Sequence, residues 1–438
     1  MKTTIQRLLV LTAALVPWLL SPAVFADPEL AWKNVGTDPP QDRHKVCRHM
    51  LVGPGKNQPA TYEGYNGFVG WTGTSRLRSG RWIVTFSSGH WHASFPWTDE
   101  IRERCQADPK VWARFQAWRG FGLSDLRSPR GGRTHFIYSD DEGKTWSKPK
   151  PLIDTELDDR HPTILELDDG TLFCTFFSSS FLDPARVFTI RSSDDGNTWS
   201  KPVQLGAEGE PLGKGEAFGN GSLILLPNDT VVIATQADDW PGKKLPEKTG
   251  NVYIGVYRSS DRGETFELAA TVPTRPNGDG EPGIARLPDG RLVLIVRRNG
   301  DVYWSDDDGQ TWTEPRSTGV DMYDPHLVVL PNGVLACFHG SYGAGGLRVI
   351  LSPDGGSTWH GPKERIGYAV DPSVYGYSHP LVLPDGTIYL TYLHTGGHLP
   401  EDARTEAIWG LRLDIKDKAD GIEILPALGS AAAASQSR

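Results

Sequence analysis

Cysteine is scarce, with 4 in 438 residues, and methionine is scarcer at 3. So few thiols cannot staple a chain of this length, which excludes a disulfide-framework domain and leaves the core to hold the fold. Cys174 in Leu-Phe-Cys-Thr-Phe-Phe and Cys337 in Leu-Ala-Cys-Phe lie in apolar runs and read as buried free thiols. Cys47 and Cys105 lie in more polar surroundings, as well suited to pairing as to staying free. Positive charge is also short: 45 Lys and Arg face 54 Asp and Glu, a net charge of −9 and the wrong sign for a nucleic-acid binder. Past the N-terminus no apolar run approaches the roughly 20 residues that span a bilayer, so no membrane span is expected.

Residues 1–26 differ from the rest. Lys2 and Arg7 precede an apolar stretch from Leu8 to Leu20, and Val24 and Ala26 suit cleavage before Asp27. This is the pattern of a secretory signal, and the mature protein is expected to be secreted or periplasmic.

Turn chemistry is abundant. Gly 49 and Pro 33 argue against long helices, while 15 Trp within an aromatic fraction of 10% supply a core. The motif Ser-x-Asp-x-Gly-x-Thr-Trp begins at Ser139, Ser192, Ser259, Ser305 and Ser352, with Phe266 in the aromatic place of the third copy. Its aspartates suit backbone N–H groups of a tight turn, its glycine tolerates positive φ, and its aromatic ring packs between sheets. These acids therefore read as structural. A second repeat, strand then turn then strand, is centred on Gly80, Gly170, Asp229, Gly290, Gly333 and Gly386. Spacings near 40 to 50 residues are those of four-stranded propeller blades. The expected fold is all-β, a six-bladed β-propeller with seven blades as the fallback, closed by a strand from His44 to Val52 pairing with Ile408–Ile415. Residues 27–426 form this single domain, with a helical insertion near 98–120 that starts at Asp108-Pro109 and carries Val111, Trp112, Phe115 and Trp118 on one face. Arg127 to Arg133 reads as a solvated loop, and the Ala/Ser-rich end, 427–438, as a disordered tail.

Nine positions ahead of the six turn residues stand Trp71, His161, Asn220, Glu281, Asp324 and Tyr377. Inner strands of a propeller line its channel, so equivalent positions at their starts converge on one pocket. Six large polar or aromatic residues there mark a candidate site, with Arg160, His326, Ser378 and His379 beside them. Tyr377 is a poor nucleophile unless a neighbouring carboxylate takes its proton, and Glu281 can do so. Arg297 can hold a carboxylate in a bidentate fork. The histidines at His90, His92, His161, His326, His339, His379 and His394 suit proton transfer, metal binding or sugar contacts. No ligand pair has the spacing of a closed metal site, His90-x-His92 coming nearest, so no metal ligand is assigned and metal use stays open, while no cofactor is expected.

With five Asp-boxes and the run Glu281-Pro-Gly-Ile-Ala-Arg-Leu-Pro-Asp-Gly-Arg-Leu-Val-Leu-Ile-Val-Arg297, the chain resembles the sialidase superfamily from about Tyr65 to Ile415. The resemblance implies Tyr377 as nucleophile, Glu281 as its base and Arg297 as one arm of a substrate-carboxylate clamp in a retaining mechanism. The family opens its first blade with Arg-Ile-Pro where this chain has Gly70-Trp71-Thr72. Arg348 is the nearest candidate for a further clamp arginine, Arg160 can compensate, and Asp99 holds the acid/base place by position. The leading expectation is an exo-glycoside hydrolase acting on a terminal acidic or polar sugar of a glycan. The alternatives are a lyase on uronate-containing glycans using His and Tyr, and a non-catalytic glycan-binding propeller with Trp71, Trp240 and Tyr375 as stacking platforms. Oligomeric state has no signature in the sequence.

Overall fold

The computed structural model describes residues 29–113, 129–180, 182, 185–206, 217–219, 221–238, 252–275, 280–396 and 404–428. The signal segment, Phe115, Trp118, Asn220, Trp240 and the tail from 429 onward lie outside them. Six sheets follow one another along the chain, each built antiparallel outward from an inner strand, with two N-terminal strands added to the outer sides of the fifth and sixth. The first blade runs Phe68–Arg76, Trp82–Gly89, Arg133–Ser139, Lys150–Ile153. The inner strands of the others are Asp158–Glu166, Ala217–Phe218 with Leu223–Leu225, Pro282–Arg286, Met322–Val329 and Gly376–Val382. The molecule is a six-bladed β-propeller.

Apolar residues sit where blades face each other. Val69, Val84, Phe86 and Ile137 of blade 1 meet Ile408 of blade 6, Ile83 meets Cys174 and Phe176 of blade 2, and Val293 of blade 4 meets Cys337 and Ile350 of blade 5. Each such side chain leaves water almost completely, worth about 1.5–3 kcal/mol before entropy is counted. The ring closes by pairing: His49–Val52 lies antiparallel to Ile408–Ile415, so the N-terminal strand completes the last blade. Ala31–Asn34 adds in parallel to Thr358–Gly361 of blade 5.

The Asp-box turns lock the third strands of the first five blades to the chain that follows. Asp194 accepts from Ser192 Oγ at 2.8 Å, Thr198 N at 2.8 Å and Thr198 Oγ1 at 2.6 Å, while Ser192 Oγ takes the Gly196 amide at 2.9 Å. The same set recurs at Asp141 and Asp307. These local donors hold the carboxyls of Asp141, Asp194 and Asp261 down at about 2.

The insertion of blade 1 holds a helix at Asp99–Ala107, ahead of the one expected from Asp108-Pro109, capped by Thr98 Oγ1 accepting from Ile101 N at 3.2 Å. Asp108 then caps a further turn, accepting from Lys110 N at 2.8 Å. Trp91, Phe95, Cys105, Val111 and Trp112 pack together beneath it. All four cysteines are buried and free, and Cys47 and Cys105 belong to different apolar clusters, which removes the pairing. No helix among the described residues is long and apolar enough to cross a membrane.

Candidate active site

The inner strands do not alternate evenly. Their ladders to the second strands slip between Gly70 and Gly73, Arg160 and Thr163, Tyr323 and His326, and Gly376 and Ser378. Inside these bulges stand Trp71, His161, Asp324 and Tyr377, with φ of 49°, 53°, 46° and 50°. A left-handed backbone costs a non-glycine residue roughly 1–2 kcal/mol, and a bulge re-aims the side chain it carries. The effect is seen in which blades meet. His161 of blade 2 comes together with Asp324 and His326 of blade 5, and Glu281 of blade 4 with Tyr377 of blade 6. Blades that are not neighbours in the ring touch only across its axis, so the bulges deliver these groups to the channel mouth.

Glu281 is the hub. Its Oε1 accepts from Tyr377 Oη at 3.0 Å and from Arg297 Nη1 at 2.5 Å, and its Oε2 accepts the Asp324 amide at 2.8 Å. Burial pushes its carboxyl up, and the Arg297 guanidinium opposes that shift. Burial and the adjacent Glu281 charge together raise Tyr377 well above the usual phenol value, so the hydroxyl keeps its proton at rest. Glu281 and Arg297 each retain 16% side-chain exposure, enough for a ligand to reach them. Arg297 also donates through Nη2 to the Tyr342 hydroxyl. Around them stand Tyr323, Tyr342 and Tyr375. Tyr375 stacks on Tyr377 at 5.7 Å and 10°, and Tyr323 meets Tyr342 at 4.8 Å.

The other expected residues fall into separate groups. Trp71 and His92 lie on the blade 1 side, rings 4.7 Å apart, and Trp71 stacks on His161 at 6.4 Å and 22°. His379 faces His326 at 5.0 Å and uses Nδ1 to accept the Thr74 amide at 3.1 Å. His90 is buried and held near 3 by desolvation, mostly a loop-packing group whose amide donates to Ser94 Oγ. Arg160 is fully buried against Asp158, Nε to Oδ1 2.6 Å, and donates to the Trp91 carbonyl at 3.2 Å. Its charge is thereby neutralised within the blade 1–2 seam instead of facing Arg297. Arg348 lies on the third strand of blade 5, Leu347–Ser352, where Nε and Nη1 donate to the carbonyls of Gly345 and Gly367. A third strand runs outside the channel, which is why Arg348 is not delivered to the mouth. Asp99 occupies the first turn of the insertion helix, its carboxylate 80% exposed and 2.8 Å from Arg102.

Tyr323 and Tyr342 escape the turn-based alignment. Tyr342 leaves the second strand of blade 5 as Arg297 leaves that of blade 4, so aligning second-strand exits as well as first-strand starts finds it.

Residues 162–390, more than half of the chain, match the model of the BNR repeat-like domain family, and 137–148 match the BNR/Asp-box repeat. The chain belongs to this family, within the sialidase superfamily. Among curated relatives it is 31% identical over 139 residues to an exo-alpha-sialidase of Aspergillus fumigatus, covering 29% of this chain and 33% of that protein. It is 25% identical over 236 residues to a sialidase of Bacteroides fragilis, covering 49% and 40% respectively. The matched segments thus span less than half of those relatives. A Dyadobacter fermentans protein described as of unknown function shares the fold over 85% of this BNR-family chain and 98% of its own, with a TM-score of 0.61 at 18% identity.

Proposed function

We propose that the protein is an exported exo-glycoside hydrolase that removes a terminal acidic or polar sugar with retention of configuration. The observation that carries this reading is the Tyr377 hydroxyl donating at 3.0 Å to a largely buried Glu281. In the first step Tyr377 Oη attacks the anomeric carbon as its proton passes to Glu281, and the bond to the leaving oxygen breaks, giving an aryl glycoside on Tyr377. The leaving oxygen takes a proton from an acid, for which Asp99 on the insertion helix is the candidate. Water then attacks the anomeric carbon and gives a proton to the acid residue deprotonated in the first step, the bond to Tyr377 Oη breaks as Glu281 returns its proton to that oxygen, and the sugar departs. Arg297 opposes the rise that burial imposes on the Glu281 carboxyl and orients it for this transfer. The sialidase relatives support the reaction class. Arg160 is engaged by Asp158 and Arg297 by Glu281, while Arg298 lies 4.7 Å from the Tyr342 ring, which favours a sugar held by aromatic and hydroxyl contacts with a guanidinium at hand.

The test is a panel of sialosides and other terminal glycosides read by product mass, followed by trapping with the matching 2-fluoro glycosyl fluoride and peptide mapping. The expected result is release of a sugar with addition of water and one covalent adduct on Tyr377. An unsaturated uronate product absorbing in the ultraviolet would overturn hydrolysis in favour of elimination, and an adduct on another residue would remove Tyr377 from its role.

A further inference from the structure

Beneath the Tyr377–Glu281 pair, His161, Asp324 and His326 bring one ligand atom each to within 4.8 Å of one another, and all three residues are buried. Asp324 Oδ1 and His326 Nε2 face each other at 3.5 Å. Both atoms are shut off from solvent and neither has a hydrogen-bond partner. A buried polar atom left unpaired costs roughly 1–3 kcal/mol, and at 3.5 Å these two stand beyond a normal hydrogen bond, so a third body that both can bind would relieve the cost. We propose that this body is a divalent cation of the zinc class, bound by His161, Asp324 and His326 with a fourth position open. The inference goes beyond the hydrolase reading and does not depend on it.

The donor set fits that class of ion. Two imidazoles and one carboxylate suit zinc and its first-row neighbours, whereas calcium and magnesium seek oxygen shells. Tetrahedral zinc with bonds of about 2.0–2.2 Å places its ligands about 3.3–3.6 Å apart, so the Asp324–His326 edge has the right length and only the reach to His161 must shorten. The backbone is set for it: His161 and Asp324 both hold left-handed φ inside bulges, and Trp71 stacks on His161 and fixes its ring. The Ser378 amide bonds the Asp324 carboxylate, the kind of outer support that orients a ligand. His379 is excluded from the set: its Nδ1 accepts the Thr74 amide, which puts the ring proton on Nε2. A cavity of about 260 Å³ runs along the inner strands from His326 and His379 to Arg286, Val329 and Val382, and His326 is the member of the set that lines it. Because the Asp324 amide donates to Glu281, a cation on the Asp324 carboxylate would also fix the peptide that positions Glu281.

The experiment uses the full chain without an affinity tag, stripped with chelator, then titrated with zinc chloride and dialysed. Metal content by mass spectrometry and affinity by calorimetry are measured for the wild type, His161→Gln, His326→Gln and His379→Gln. The expected result is about one equivalent of zinc, with affinity lowered at least tenfold in His161→Gln and His326→Gln and kept in His379→Gln. Cobalt substitution of the wild type should give visible bands of a four- or five-coordinate ion. Less than a tenth of an equivalent in the wild type, or unchanged affinity in both His161→Gln and His326→Gln, overturns the proposal, as does binding of calcium or magnesium in preference to zinc. If either variant fails to fold by circular dichroism, Asp324→Asn takes its place. Since none of these readouts is activity, failure here leaves the hydrolase reading to its own test.

Discussion

Asp194 and Glu281 are both carboxylates placed by the repeat, and they sit in opposite surroundings. Asp194 is in water at a box turn, fastened by Ser192 Oγ, Thr198 N and Thr198 Oγ1, and its carboxyl lies at about 2. Glu281 is at the channel mouth, stripped of most water, and its carboxyl is raised above the ordinary range while Arg297 resists the shift. An acid whose lone pairs are filled by its own turn has nothing left for a ligand. One held by a phenol, a guanidinium and a single amide, with part of its surface still open, can exchange a proton with what arrives. Burial and the origin of the donors, a local turn for Asp194 and groups from other strands and blades for Glu281, separate the scaffold acids from the chemical ones more than residue type or repeat position does.

The sharpest way to break this comparison is to remove the reacting atoms while keeping the shape. Tyr377→Phe should lower kcat on the substrate found by the panel by about 10³-fold or more with unchanged secondary structure, and Glu281→Gln by about 10²–10⁴-fold. Full activity in Tyr377→Phe would put Glu281 among the scaffold acids. A smaller effect is expected at the other pole. Asp307→Ala loses the contacts from Ser305 Oγ, Gln310 N and Thr311, and should lower unfolding stability by about 1 kcal/mol, read from urea midpoints, while kcat changes by less than about threefold. A large loss of kcat with intact stability would erase the distinction between the two regions.

How much of this was legible in the sequence follows from the same physics. The boxes, the six turn residues and the closing strand are local patterns, so their spacing carried the fold. The Tyr377–Glu281–Arg297 group was legible because propeller symmetry turns equal offsets along the chain into nearness in space. Tyr342 was not, since its place depends on a second-strand exit, and His161, Asp324 and His326 were legible as members of one pocket but not as a single set, since their meeting depends on bulges that rotate particular side chains across the axis. Arg348 shows the reverse case: near a box in sequence, it lies on a third strand whose neighbours are the carbonyls of Gly345 and Gly367. Asp99 likewise has the right place in chain order, but its helix begins there and gives it Arg102 as a partner.

The finest expected difference is one of sign in pH. The carboxyls of Asp141, Asp194 and Asp261 are lowered from an ordinary 3.8 to about 2 in the folded chain. A depressed folded value means that the native state holds the anion better than the unfolded chain does, so this stabilisation is complete above about 3.8 and is lost as pH falls toward 2. Glu281 has the opposite sign: its raised value favours the folded state at low pH and works against it as the carboxyl ionises. If the box acids are scaffold, replacing one by an amide should remove part of the acid-induced loss. Urea midpoints of the wild type should therefore fall between pH 5 and pH 2.5, and Asp194→Asn, less stable than the wild type at pH 5, should approach it at pH 2.5 as the wild-type carboxyl takes up its proton. A gap between the two proteins that widens on acidification would mean that Asp194 is held by something other than its anionic hydrogen bonds, and the two regions would no longer differ in kind.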